Sequence, residues 1–146
     1  MSFFKGDHMP HQSLSFSISS ETLYNNLVDM LCTTFKCAKE DLQKDSFETT
    51  MNQHNRTFKV TQRITTLTPN QKIAMESMIN DDTILTIYSI ESVSESECKV
   101  TMIEHASSKS VGRRLNYALL SLPGLNFLSK SRIKSRLYAM KHQFER

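Results

Sequence analysis

The chain has three glycines, too few for the common phosphate-cradling loops, whose backbone must approach a nucleotide closely. No serine stands in a glycine-flanked elbow, so the nucleophile turn of the hydrolases is missing as well. With three glycines and three prolines, the chain is not expected to contain long flexible linkers. Cysteine is scarce and odd in number: Cys32, Cys37 and Cys98 form neither a disulfide framework nor a zinc-type cluster, and they point to a reducing compartment. Cys32 and Cys98, set among apolar neighbours, read as small core residues. The richest apolar stretch, 117–128, is too short to span a bilayer and contains Pro123-Gly124. Residues 1–12 lack the apolar run of a secretory signal, so the expected location is cytoplasmic.

What is present suits one globular domain. A length of 146 residues with 38% hydrophobic and 23% charged residues supports one core and argues against disorder. The net charge of +3 hides a split. Residues 109–146 hold nine Lys/Arg against one acidic residue (+8), whereas 1–108 hold nine against fourteen (−5), and 8 − 5 = 3. A basic end can attract an acidic partner, although it is more commonly the wet face of an amphipathic helix.

Residues 1–12 show no periodicity and read as a loosely held lead-in to a domain over 13–146. His8 and His11 have a spacing that can bind metal on a helix, but Pro10 between them argues against that helix. From Ser13 the sequence alternates strictly, placing Leu14, Phe16 and Ile18 on one strand face. Ser19 or Ser20 can then cap a helix carrying Leu23, Leu27, Met30 and Leu31, and a second short helix is predicted over 38–44. Alternating runs separated by polar turns follow: Phe47 to Met51, Phe58 to Ile64, Ile73 to Ile79, Ile84 to Ile90, and Cys98 to Met102. Short turns between successive strands predict an antiparallel meander. Last comes an amphipathic, basic segment with Val111, Leu115, Leu119, Leu122, Leu125, Leu128, Ile133, Leu137, Met140 and Phe144 on one stripe. Pro123-Gly124 predicts a kink that divides it into 109–122 and 125–145.

One strand, two short helices, five antiparallel strands and a long closing helix is the element order of an α+β helix-grip fold. The segments Glu97-Cys98-Lys99-Val100-Thr101 and Leu115-Asn116-Tyr117-Ala118-Leu119-Leu120, with the Lys/Arg-rich tail, resemble a family of short bacterial proteins carrying a START-like (SRPBCC, helix-grip) domain of unknown function. The resemblance covers residues 13–145, and Pro123-Gly124 departs from its pattern. It implies a curved sheet of about six strands gripping the last helix, with an apolar cavity between them. Relatives in that superfamily bind lipids, sterols, polyketides or hormones, and a few are enzymes; fold alone does not choose among these.

The strand faces put Phe58, Val60, Ile64, Ile73, Met75, Ile79, Val100 and Met102 inward, with Gln62, Ser77 and Glu104 as polar members of the same rows. Together with Leu115, Leu119 and Leu122 of the closing helix, these are the candidates to line a cavity for a small apolar or amphipathic ligand, whose polar end Gln62, Ser77 and Glu104 would orient; the same residues equally suit a filled core. Glu104-His105 is the one adjacent acid and imidazole; strand neighbours face opposite ways, so without a bulge the pair makes no catalytic dyad, and a surface or rim position is expected. No catalytic residue, metal or cofactor is predicted. Lys130, Arg132, Lys134, Arg136 and Lys141 are expected to form a basic surface. No aromatic platform interleaves with them, which argues against nucleic acid. An anionic membrane surface suits them better, since Leu122, Leu125, Phe127 and Leu128 flank the kink.

Overall fold

The computed structural model describes residues 11–53, 56–79, 82–108 and 130–145. Strand β1 (His11–Phe16) begins just ahead of the predicted Ser13 and buries Phe16 completely. Helix α1 (Ser20–Phe35) starts where Ser19, in extended conformation, accepts the Thr22 backbone N–H on its Oγ at 3.1 Å. Leu23, Leu27, Val28 and Leu31 form its buried stripe. The helix stops where Lys36 turns left-handed (φ 55°) and the Cys37 N–H bonds back to the Cys32 carbonyl at 3.1 Å, a Schellman-type close.

The second helix predicted over 38–44 does not form. One 3₁₀ turn, Lys39–Asp41, stands in its place, held by the Leu42 N–H on the Lys39 carbonyl at 3.2 Å. So short a stretch cannot repay helix nucleation, and Leu42 is its one fully buried anchor. The stacked rings of Phe35 and Phe47, 4.3 Å between centroids, carry the chain from α1 into the sheet.

Strands β2 (Ser46–Gln53), β3 (Arg56–Thr68), β4 (Lys72–Ile79), β5 (Asp82–Ser94) and β6 (Glu97–Ser108) form the predicted antiparallel meander. β1 then pairs with β6, giving the order β1-β6-β5-β4-β3-β2. Between β3 and β4, Pro69 precedes a left-handed Asn70 (φ 63°) and the Gln71 N–H reaches the Thr68 carbonyl at 3.0 Å. Register shifts at Ile64/Thr66 and Ser92/Ser94 mark bulges, which bend the long strands and curve the sheet.

Helix α2 (Lys130–Phe144) lays Ile133, Leu137 and Met140 into the same core as the α1 stripe and the inner-face residues Ile64, Ile73, Val100 and Met102. Its end is latched to β1. Lys141 Nζ donates to the Ser15 carbonyl at 2.7 Å and to Glu145 Oε2 at 2.6 Å, and that oxygen accepts the Ser17 N–H at 2.6 Å. The Lys141 hydrogen bond, followed by that of Ser17, pulls the Glu145 carboxyl below its ordinary pKa. The predicted helical segment 109–122, with Leu115, Leu119 and Leu122, and the kink at Pro123-Gly124 lie outside the described residues, as do residues 1–10. Among the described residues no helix is long and apolar enough to cross a membrane.

Two substitutions check this reading. Lys36→Gly removes the left-handed penalty at the close of α1 and is expected to raise unfolding free energy by about 0.5–1 kcal/mol in urea titration. Leu137→Ala is expected to lower it by about 2–5 kcal/mol, because the helix loses its central anchor.

Candidate functional site

Cross-strand register brings the polar members of the inner face together. Gln62 lies opposite Ser77, Met75 opposite Thr86, and Thr86 opposite Glu104; in the next row Tyr88 lies opposite both Ile73 and Met102. Gln62, Ser77, Thr86 and Glu104 are all buried, amid Val60, Ile64, Met75, Val100 and Met102. Every described side chain among the sequence-predicted sheet candidates therefore points inward; that of Phe58 lies outside the description.

The polar groups bond across strands. Gln62 Nε2 donates to Ser77 Oγ at 3.0 Å and lies 3.8 Å from Met75 Sδ. Thr86 Oγ1 donates to Glu104 Oε2 at 3.2 Å. Glu104 Oε1 is buried with no hydrogen-bond partner among the described residues. Glu104 is thus not at the rim: it is 1% exposed, while His105 stands half-buried with its side chain directed to the other face, as strand alternation requires. Burial pushes the Glu104 carboxyl up to about 8, against the Thr86 hydrogen bond and the Arg136 charge, which both lower it. Near neutral pH it is mostly protonated, a hydrogen-bond donor in an apolar wall.

Arg136 departs from the predicted basic surface. It follows Ile133 by one helical turn and precedes Leu137, so it stands on the flank of the buried stripe; its stem packs and its Nε donates to Tyr88 Oη at 3.4 Å. Contact with Tyr88, outweighing desolvation, raises the guanidinium pKa further. Lys141 is likewise engaged with Ser15 and Glu145 rather than free, while Lys134 is exposed. The side chains of Lys130 and Arg132 lie outside the description. Thr86 and Tyr88 were missed in the sequence although the β5 alternation through Ile84 and Ile90 carried the signal. Arg136, expected on the basic surface, is held instead by Tyr88 of the sheet, a contact that helical projection does not report.

A cleft of about 490 Å³ opens between the end of α1 and β2, lined by Phe35, Lys36, Phe47, Glu48, Thr49 and, at its base, the buried Gln62. The Gln62 end of the polar patch is therefore adjacent to an opening. Among the described residues, no three His, Cys, Asp or Glu side chains converge to hold a metal.

The model of a family described as a domain of unknown function, DUF3284, matches residues 12–123. The chain belongs to the DUF3284 family. Solved structures show that this DUF3284 protein has a START-like fold. A START superfamily protein from Mycobacterium smegmatis aligns with a TM-score of 0.60 at 12% identity, covering 95% of this chain and 98% of its own. A Deinococcus radiodurans protein aligns at 0.56 with 10% identity, over 94% and 96% of the two chains. An uncharacterized Rhizobium leguminosarum protein aligns at 0.54 with 14% identity, over 94% and 97%. Identities this low establish the fold alone. No curated protein matches the chain in sequence.

The raised Glu104 pKa makes a signed prediction. From an ordinary 4.5 up to about 8 the folded state holds a proton that the unfolded state has released, so stability falls as pH rises through that window and levels off above it. Glu104→Gln removes this dependence. Urea titrations at roughly pH 5.5 and 8.5 are expected to show the variant gaining about 3 kcal/mol on the parent between the two, at about 1.4 kcal/mol per unit of pKa shift.

Proposed function

We propose that the protein binds a small molecule with an apolar body and a polar end, held between the inner sheet face and the closing helix, without covalent chemistry. One observation carries the reading: the buried polar patch of Gln62, Ser77, Thr86 and Glu104, set in a wall of Val, Ile and Met and including an oxygen with no partner among the described residues. A purely structural core would use apolar residues there, because an unsatisfied buried polar group costs about 1–3 kcal/mol. An apolar lining with a few convergent polar groups is the composition of a small-molecule site. The cleft that reaches Gln62 supplies an approach, and the flexible side chains of Met75 and Met102 adapt to irregular shapes. The START-like fold supports the same reading by analogy.

Docking of the basic helix on an anionic membrane has less on its side. Of the cations in α2 whose side chains are described, Arg136 faces Tyr88 and Lys141 is bonded to Ser15 and Glu145, leaving Lys134 exposed.

Native mass spectrometry of protein purified from cells is expected to show a retained small molecule, and an environment-sensitive dye is expected to bind saturably. Ser77→Leu, which fills the polar patch, is expected to weaken dye binding at least about tenfold, a change of about 1.4 kcal/mol. Absence of both a retained molecule and saturable uptake by the parent would sink the proposal.

A further inference from the structure

The geometry points to an organic acid as the ligand: a single carboxylate on an apolar body, seated between Arg136 on α2 and Glu104 and Tyr88 on the sheet. This rests on the ligand-binding reading above and names the chemistry of its polar end.

The described ion pairs join Lys59 to Glu48, Arg63 to Glu76 and Lys141 to Glu145, and none involves Arg136. Arg136 donates its Nε to the Tyr88 hydroxyl at 3.4 Å. Glu104 is near enough to feel the Arg136 charge, yet its Oε2 is committed to Thr86. A half-buried guanidinium bonded to the Tyr88 hydroxyl, with Glu104 diagonal to Tyr88 across the β5–β6 ladder, is a positive site in an apolar wall. Such a charge is stabilised most by an anion that also accepts hydrogen bonds.

The second half of the argument is Glu104 itself. With Oε2 accepting from Thr86, the acid proton belongs on Oε1, which is buried and has no partner among the described residues. A buried O–H without an acceptor is costly, and a carboxylate oxygen satisfies it with a short, charge-assisted hydrogen bond. The guanidinium can clamp the same carboxylate with its fork of N–H donors. A cation would be repelled by Arg136, and an alcohol or ester would leave that charge uncompensated. Asp82, the other buried acid on the inner face among the described residues, is four residues from Thr86 along β5, about 13 Å away at strand spacing, and does not compete for the site. Met75 and Met102 flank the patch and suit an aliphatic tail.

The test is displacement of a bound dye by three probes with the same tail: dodecanoate, methyl dodecanoate and dodecanol. Dodecanoate is expected to displace at a concentration at least about tenfold lower than the ester or the alcohol, the factor that one charge-assisted hydrogen bond supplies. Arg136→Gln is expected to bring the acid down to the level of the alcohol. Arg136→Lys, which keeps the charge and loses the fork, is expected to retain part of the preference, and it serves if the Gln variant fails to fold. Lys134→Gln removes one charge from the exposed side of the same helix and is expected to keep the full preference. Equal affinity for the three probes, or an acid preference that survives Arg136→Gln, would overturn the assignment of the acid while leaving ligand binding intact. If none of the probes displaces the dye, and no dye binds, the ligand-binding reading falls and the assignment with it.

Discussion

One face of the sheet must be kept from water, and two helices distant in sequence share the task. β5 shows the constraint most simply: Ile84, Thr86, Tyr88 and Ile90 alternate with half-exposed neighbours, so every second residue needs cover. The cover comes from Leu23, Leu27, Val28 and Leu31 of α1 and from Ile133, Leu137 and Met140 of α2. Each such side chain is worth roughly 1.5–3 kcal/mol when fully buried. Exposed ion pairs such as Lys59–Glu48 and Arg63–Glu76 contribute about 1 kcal/mol at most, so they decorate the fold and do not decide it.

Against that background the polar patch is the informative exception. Gln62, Ser77, Thr86 and Glu104 occupy positions where the same backbone accepts Val or Ile one row away. Their cross-strand hydrogen bonds reduce the cost of burial without removing it, since Glu104 Oε1 stays without a partner among the described residues. The inner face thus combines a greasy wall, a protonated carboxyl and a guanidinium on the opposing helix. Membership of the DUF3284 family and the START-like fold fix the scaffold, and these residues give it a chemical character of its own.

Strand alternation made most of this legible from sequence. The period of two through Val60, Gln62 and Ile64, and again through Met75 and Ser77, placed side chains on the correct face without any knowledge of pairing. Ser19 and the leucines after it likewise announced α1. The failures have one source: local pattern does not report tertiary company. The stretch over 38–44 has helical residues yet only Leu42 to bury fully, so it settles into a 3₁₀ turn. Arg136 and Lys141 look solvated on a helical projection, but Tyr88 and the backbone of Ser15 meet them in three dimensions.

The pairing of the first strand with the sixth has a consequence for how the molecule is made. Ser13 and Thr101 share a 2.7 Å hydrogen bond across 88 residues of chain, so β1 has no ladder partner until β6 has emerged from the ribosome. Until then β1 exposes Phe16, and α1 lacks the completed sheet on which its leucines rest. Non-local closure of this kind slows folding and leaves sticky intermediates during synthesis. The order of synthesis therefore keeps the apolar face of β1 and α1 without its final cover until the last strand is in place.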